Sequence, residues 1–258
     1  NLMFLEIYKD KFLLKRKFSH VIYVFCIILF PFLVSFIFMQ MGGNAINSSN
    51  KSINVMIVQP NIHPDDKFAE NPRDQQLAQR VQLHNIMNLV NNSIDDSTNF
   101  IIFPETFISN KICVSDTGCS PGLRMAYRNH TNTKYQFKNL IKNTSSNLNI
   151  IVGAPLLEQS RKSAESKLYG EKWYNNYNAA LHYDKSKLDI YRKSKLVPGA
   201  EQIPFQNFLH PLLGDQALQI GNAIPTSFAT QDSVTVFSSI EGYSIAPIIC
   251  YESIYGDY

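Results

Sequence analysis

From Val21 to Met39 the chain reads VIYVFCIILFPFLVSFIFM, without one charged residue. As an α-helix rising about 1.5 Å per residue, a run of this length spans roughly 28 Å, close to the hydrocarbon thickness of a bilayer. A helix buried in a soluble core is rarely apolar on every face over such a length. A cleaved signal peptide usually carries a shorter apolar region, of about 7–15 residues. The run is therefore read as a transmembrane helix over residues 21–41. Pro31 lies mid-span, where a membrane helix tolerates it if neighbouring helices satisfy the freed carbonyl, so partner helices outside this sequence are expected.

Charge is placed beside this run. The formal net charge is +3, and residues 1–20 account for it with Lys9, Lys11, Lys15, Arg16 and Lys17 against Glu6 and Asp10. The rest of the chain is balanced, which leaves no basic surface for nucleic acid. By the positive-inside tendency, residues 1–20 form a cytoplasmic basic segment and everything after the helix lies on the opposite face. The sequence opens on Asn1 rather than Met, so a piece of a longer protein is expected.

Residues 42–52, rich in Gly, Asn and Ser, read as a linker. From residue 53 to 258 short apolar runs alternate with amphipathic stretches. Strands are expected at Asn54–Val58, Phe100–Phe103, Ile150–Val152, Ala179–His182 and Ser244–Ile249. Leu77, Val81, Leu83, Met87 and Val90 fall at helical spacings, as do Tyr135, Phe137, Leu140 and Ile141. Strands alternating with helices indicate an α/β domain. With 45% hydrophobic residues, this part is long enough for a core of its own.

Four cysteines are too few for a disulfide framework. Cys26 lies in the apolar span and reads as a packing residue. Cys113 and Cys119 flank a loop on the oxidising side of the membrane, where a local bridge competes with two free thiols. Cysteine and histidine show no metal-ligand spacing, so no metal is expected.

Three segments can deliver a reactive group at the end of an apolar strand, where side chains leave the core for a cleft. In NFIIFPETF, Pro104 stops a buried strand and Glu105 follows; apolar surroundings disfavour its charged form, which suits a general base. A solvated turn residue is the alternative. In DIYRKSKLVPGAEQIPF, Lys193 precedes Glu201 by eight positions; a lysine near a carbonyl can stabilise an oxyanion, whereas a solvated basic patch with Arg192 and Lys195 is the alternative. In YSIAPIICYESIYG, an apolar run leads to Cys250, followed by Tyr251 and Glu252. A cysteine between strand and turn suits a nucleophile, although Pro247 weakens the strand and a buried packing cysteine is the competing role.

Glu, Lys and Cys in that chain order resemble the nitrilase, or carbon–nitrogen hydrolase, superfamily. Within it the pieces VMIVQPNI, FPET, YNAAL, YRKSKLVP with Glu201, and ICYES resemble the apolipoprotein N-acyltransferase family. The resemblance implies a truncated nitrilase-like α-β-β-α sandwich preceded by one transmembrane helix, in a bacterial inner membrane with the catalytic domain on the periplasmic side. It implies Glu105, Lys193 and Cys250 as catalytic residues and Glu201, Tyr251 and Glu252 as supporting ones. Phe68 and Asn178 are implied as substrate-binding, with Phe68 standing where relatives carry a Trp. No cofactor is implied. The partners implied are a phospholipid acyl donor and a diacylated apolipoprotein acceptor. The acyl group passes through a cysteine thioester to the N-terminal amine of a diacylglyceryl-cysteine.

Two departures stand out. The turn Pro198-Gly199-Ala200-Glu201 differs from the Pro-x-Gly-Glu of that family, and the chain stops eight residues after Cys250, where the family domain continues. The apolar loop 205–213 is read either as a lid dipping into the membrane or as core. A membrane-tethered amidase or nitrilase that passes the acyl group to water shares the same triad, and a non-catalytic scaffold on a nitrilase fold is the other rival.

Overall fold

A computed structural model describes residues 22–40, 52–63, 72–115, 119–145, 147–163, 165–202 and 228–256. The basic segment 1–20, Phe68 and the loop 205–213 lie outside these, as does the expected linker apart from Ser52. The chain forms two compact units, Asn1–Ser52 and Ile53–Tyr258.

In the first unit, helix α1 (Ile22–Gln40) has a mean hydropathy of 2.7 and is long and apolar enough to cross a membrane. It runs through Pro31 unbroken. Its large side chains are exposed, Phe30 by 69% and Phe32 by 70%. A helix that presents apolar side chains all round is suited to a hydrocarbon solvent.

The second unit is built on a mixed sheet that has seven strands among the described residues. The parallel strands β1 (Val55–Ile57), β2 (Phe100–Ile102) and β4 (Asn149–Ser160) align Val55 with Phe100 and Phe100 with Asn149. Helices α2 (Pro72–Ser93) and α3 (Arg124–Asn143) fall between β1 and β2 and between β2 and β4 in sequence, as parallel connections require. A short β3 (Ile112–Cys113) joins β4 beyond the end of β2. Strand β4 then forms a long antiparallel ladder with β6 (Lys172–Tyr183), from Ile150 opposite Tyr183 to Ser160 opposite Trp173. Strands β5 (Lys167–Tyr169) and β7 (Leu188–Arg192) flank β6.

One sheet face packs Ile101, Ile150, Val152 and Leu181 against Ile86, Met87 and Val90 of α2 and Phe137, Leu140 and Ile141 of α3. Burying a side chain such as Phe137 contributes roughly 1.5–3 kcal/mol. The other face carries Phe100, Ile151, Ala180 and Tyr191. Phe237 of β8 (Phe237–Ser238) and Ile249 cover them, with Ile245 of β9 (Ser244–Ile245) packed beside. Strands β8 and β9 pair with each other, so the sheet is layered between helices and a second, smaller sheet. Glu241 in their connection accepts hydrogen bonds from Asn147 (2.8 Å) and Asn99 (3.3 Å), which moors the hairpin to the ends of β2 and β4.

Two expected elements differ in detail. The strand foreseen over Ser244–Ile249 is regular only to Ile245, because Pro247 has no N–H to donate. On α2, Leu77 and Val81 are exposed while Gln79 is buried. Its side-chain oxygen accepts the Asn110 N–H at 2.7 Å, so a polar requirement of the neighbouring loop sets which face turns inward.

Candidate active site

Strand β2 ends at Ile102, and Pro104 starts a turn that carries Glu105. This turn lies on the backbone of β4. A Cβ added at Gly153 would sit 2.6 Å from the Glu105 Cα, the Pro104 oxygen and the Thr106 nitrogen, so only glycine fits beneath it. The Ile108 N–H bonds the Gly153 oxygen at 3.1 Å, and Pro155, which has no N–H to pair, sits where β2 has left β4 and β3 has not yet joined. Thr106 takes a left-handed φ of 49°, an uncommon conformation for a residue with a branched Cβ.

Lys193 follows the end of β7, and its backbone N–H bonds the Asn178 carbonyl of β6 at 2.8 Å. Its ammonium is 1% exposed and grips both oxygens of Glu201, at 3.0 and 2.9 Å, with Glu105 at 3.3 Å. Asn178 donates its side-chain amide to Glu105 (2.5 Å) and to Glu201 (3.0 Å). One ammonium and one amide thus bridge two carboxylates. Burial pushes the Lys193 proton affinity down, but the hydrogen bond to Glu201 and the charges of Glu105 and Glu201 outweigh it and hold it above the ordinary lysine value. Burial pushes Glu201 up, but the Val197 N–H, Asn178 and Lys193 outweigh it and hold the carboxyl below its usual range. Lys193 is therefore a fixed cation and not a base at neutral pH.

The turn that presents Glu201 closes despite its unusual order. Gly199 sits at φ 83° and its N–H bonds the Gln202 oxygen at 2.8 Å, while the Glu201 N–H bonds Val197 at 2.9 Å. Glycine is the residue that adopts this φ without strain.

Cys250 opens a short 3-10 turn, Cys250–Ile254, with a left-handed φ of 50° and an exposed thiol. Holding a non-glycine residue there costs on the order of 1–3 kcal/mol and persists only where its surroundings fix it. Glu252 does the fixing. It is fully buried and accepts the Ile249 N–H (2.8 Å) on one oxygen; the other takes the Tyr191 hydroxyl (2.6 Å), the Ser194 N–H (2.7 Å) and the Lys195 N–H (3.3 Å). The cysteine turn is thereby tied to the stretch that carries Lys193. Tyr251 stacks edge-on to Tyr255 at 5.6 Å.

Glu105, Asn178 and Cys250 line one cavity of about 330 Å³, with apolar walls that include Ile102, Ala180 and Ile248. The Glu105 side chain keeps 33% exposure, whereas Lys193 and Glu201 stand behind it. The arrangement offers a thiol and a carboxylate to one apolar space, with a buried cation at the carboxylate. That set suits nucleophilic attack by sulfur with proton transfer to and from the carboxylate. Phe68 lies outside the described residues. Among the described residues no cluster of His, Cys, Asp and Glu is grouped to hold a metal ion.

Residues 54–258 match the family model for carbon-nitrogen hydrolases. The chain belongs to the carbon-nitrogen hydrolase family. Among curated proteins, this carbon-nitrogen hydrolase is 26% identical over 222 residues to the apolipoprotein N-acyltransferase of Chlorobaculum tepidum, covering 83% of this chain and 37% of that protein. It is 29% identical over 109 residues to the apolipoprotein N-acyltransferase of Pseudomonas syringae pv. tomato, covering 42% of this chain and 19% of that one. The chain thus spans less than two fifths of the length of either relative. Among solved structures, a carbon-nitrogen hydrolase from Helicobacter pylori G27 overlaps it with a TM-score of 0.33 at 13% identity, covering 70% of this chain and 45% of that one. A glutamine-dependent NAD+ synthetase from Acinetobacter baumannii gives 0.34 at 12% identity, over 65% of this chain and 24% of that one.

Gly153, which the sequence reading passed over, shapes the site as much as the reactive groups. A glycine inside the apolar run IIVGAP was the available signal, since glycine within a buried strand often marks close approach of another backbone.

Proposed function

We propose that this chain carries the acyl-transfer unit of a membrane-anchored N-acyltransferase, with Cys250 as nucleophile, Glu105 as general base and acid, and Lys193 as charge stabiliser. The observation that supports it best is the shared cavity of Cys250 and Glu105, with Lys193 and Glu201 locked behind. The names of the two curated relatives favour an apolipoprotein as acceptor. The acyl donor is a membrane phospholipid.

In the first half-reaction Glu105 takes the thiol proton as Cys250 sulfur bonds the ester carbonyl. The buried Lys193 cation behind Glu105 offsets the developing negative charge through space, without reaching the cavity itself; the ester C–O bond breaks, and Glu105 returns the proton to the departing lysophospholipid. In the second, the N-terminal amine of the diacylglyceryl-cysteine bonds the thioester carbon, the C–S bond breaks, and the amine proton passes through Glu105 to the thiolate. Glu201, Tyr251 and Glu252 support this set, and Asn178 holds Glu105 at the cavity wall.

Helix α1 supplies the anchor in a bacterial inner membrane, with residues 1–20 cytoplasmic and the unit from residue 53 onward periplasmic. Two features support that orientation: the basic residues before α1, and a disulfide between Cys113 and Cys119, which suits an oxidising compartment.

Incubating the full-length protein with phospholipid alone should add one acyl group to Cys250, seen by intact mass and lost with hydroxylamine. Adding a diacylated lipopeptide should then discharge it as the N-acylated peptide. Release of free fatty acid with no N-acylated peptide would instead assign a membrane-tethered hydrolase, and turnover by a Cys250→Ala variant would remove the nucleophile assignment.

A further inference from the structure

The two helices that cover the sheet carry amides where an apolar seam is the rule. Gln76, Gln79, Arg80 and Leu83 stand at i, i+3, i+4 and i+7 on α2. Asn129, Asn132, Thr133 and Gln136 repeat that spacing on α3. Positions so spaced form one stripe of a helix, and a stripe turned toward a neighbouring helix is ordinarily apolar. Here the two stripes line one cleft of about 370 Å³, together with Asn110. A second cavity of about 240 Å³ shares His84 and Gln136 with it and extends the groove to Asn88, Asn91, Asn139 and Asn143. Among the described residues no carboxylate lines either cavity.

Two of these polar side chains are buried with a group left unmatched. Gln79 is 9% exposed, and its side-chain oxygen accepts the Asn110 N–H (2.7 Å) and the Ser109 hydroxyl (3.3 Å). That fixes which end of the amide is oxygen, and its NH2, without a partner among the described residues, is left to the cleft that Gln79 lines. Thr133 is buried beside the same cleft, and its hydroxyl has no partner among the described residues either. Asn129 donates to the Lys111 carbonyl at 3.2 Å, which leaves its side-chain oxygen as an acceptor. Buried polar groups left unmatched carry a desolvation penalty, which a bound ligand of matching polarity removes.

We infer that the groove between α2 and α3 binds a neutral oligosaccharide. Each sugar hydroxyl both donates and accepts, and so does each amide of the groove, so the two match without net charge. The exposed Tyr135 offers an amphipathic ring face to the same cleft. An anion fits less well, because Arg80 and His84 are the only lining residues able to carry positive charge and the Asn129 oxygen would repel it. An extended peptide needs pockets for its alternate side chains, and in the larger cavity Leu83 and Tyr135 are the only large apolar groups. The groove lies on the helical face of the sheet, whereas the walls of the Cys250 cavity include Ile151 and Ala180 of the opposite face. A saccharide there leaves the thiol accessible, so it attaches the domain to a glycan and takes no part in acyl transfer.

The test uses the full-length protein in a detergent without a sugar headgroup. Saturation-transfer NMR follows diacetylchitobiose, triacetylchitotriose and cellotriose, and the longer chitin fragment should bind more tightly than the shorter. Gln79→Glu keeps an acceptor for Asn110 and Ser109 but removes the NH2, and Thr133→Val removes a hydroxyl at nearly constant shape. Each should weaken saccharide binding about threefold to tenfold, the worth of one hydrogen bond. Thermal melts report whether the variants fold, and Asn132→Ala, at an exposed position of the cleft, carries the test if a buried variant does not. Transfer to none of the three saccharides, or binding that no folded variant weakens, overturns the assignment. Stronger transfer to a blocked Gly-Ser hexapeptide would make the groove a peptide site, and displacement of the saccharide by inorganic phosphate would make it an anion site. Either result likewise removes the saccharide assignment.

Discussion

The Tyr191 hydroxyl donates to the buried Glu252 carboxylate at 2.6 Å, joining the last strand before Lys193 to the turn that begins with Cys250. Tyr191 is itself fully buried beneath Phe237 and Ile249. The pair fixes the distance between cation and thiol from below, where no substrate reaches. Three backbone N–H groups share the same carboxylate, so among the described residues Glu252 is held by hydrogen bonds and not by an ion pair.

Glu252→Gln should therefore be costly although it is nearly isosteric. The amide keeps one acceptor oxygen but turns an NH2 toward groups that donate. Loss of charge-assisted bonds at a fully buried site should lower stability by about 2–4 kcal/mol in urea unfolding. Thioester formation at Cys250 should fall at least tenfold. Tyr191→Phe removes one donor and leaves the backbone bonds, so about 1.5–3 kcal/mol is expected. Equal, small losses in both variants would show that Glu252 does not hold the turn.

Gly153→Ala tests the seat of Glu105. The added methyl would lie 2.6 Å from three backbone atoms of the Pro104–Thr106 turn, so that turn must lift. Overpacking of this kind typically costs about 1–3 kcal/mol. Displacement of Glu105 should cost more in rate than in stability, with thioester formation down by roughly a hundredfold, since about 1 Å of misplacement can have that effect. Full activity in this variant would mean that Glu105 is not the proton acceptor.

Much of this site could be read from sequence, and the exceptions have physical causes. Glu105, Lys193 and Cys250 each end an apolar run or lie just beyond one, and the structure sets two of them on one cavity wall with the third behind. The first half of β6 was hidden because its inward positions include Asn176 and Asn178, which invert the usual alternation of apolar and polar residues. Asn178 faces inward because two carboxylates there need a donor. The short strands β3, β5 and β8 carry too few residues to show any period. The clamp formed by Glu252 depends on residues some sixty positions apart, a relation that local pattern cannot reveal.

Removing the buried cation gives a pH-dependent result. The raised value of Lys193 means its contribution is complete below the ordinary lysine value of 10.5 and is lost only as pH climbs through the higher folded value. The lowered value of Glu201 means its contribution is present above 4.5 and is lost as pH falls through the folded value. Across neutral pH both are in force. Lys193→Met should then destabilise by about 3–5 kcal/mol at pH 7, because it strands buried negative charge. Glu201 without its cation binds a proton more readily, so the deficit against the parent protein should shrink as pH is lowered toward 5. A deficit independent of pH would locate the effect in packing alone.

His130 predicts acid sensitivity remote from the chemistry. It is buried on α3, and its Nδ1 has no hydrogen-bond partner among the described residues. Burial, with the nearby Lys134 charge, pushes its proton affinity down to about 4, against an ordinary 6.5. The unfolded chain then binds a proton that the folded chain refuses, so stability is complete above pH 6.5 and falls as pH drops from there toward 4. Between pH 7.5 and 5 the loss from this group should be about 2 kcal/mol, or roughly 4–8 °C in Tm for a unit of this size. Buried His182 is also held low by desolvation, against the pull of Asp189, and adds a slope of the same sign. His130→Leu should therefore reduce the acid sensitivity without abolishing it. At pH 7.5 the variant should be no less stable than the parent, because a buried nitrogen without a partner has been replaced by carbon. Thermal melts of both proteins at the two pH values decide the matter, and an unchanged pH slope in His130→Leu would refute the assignment.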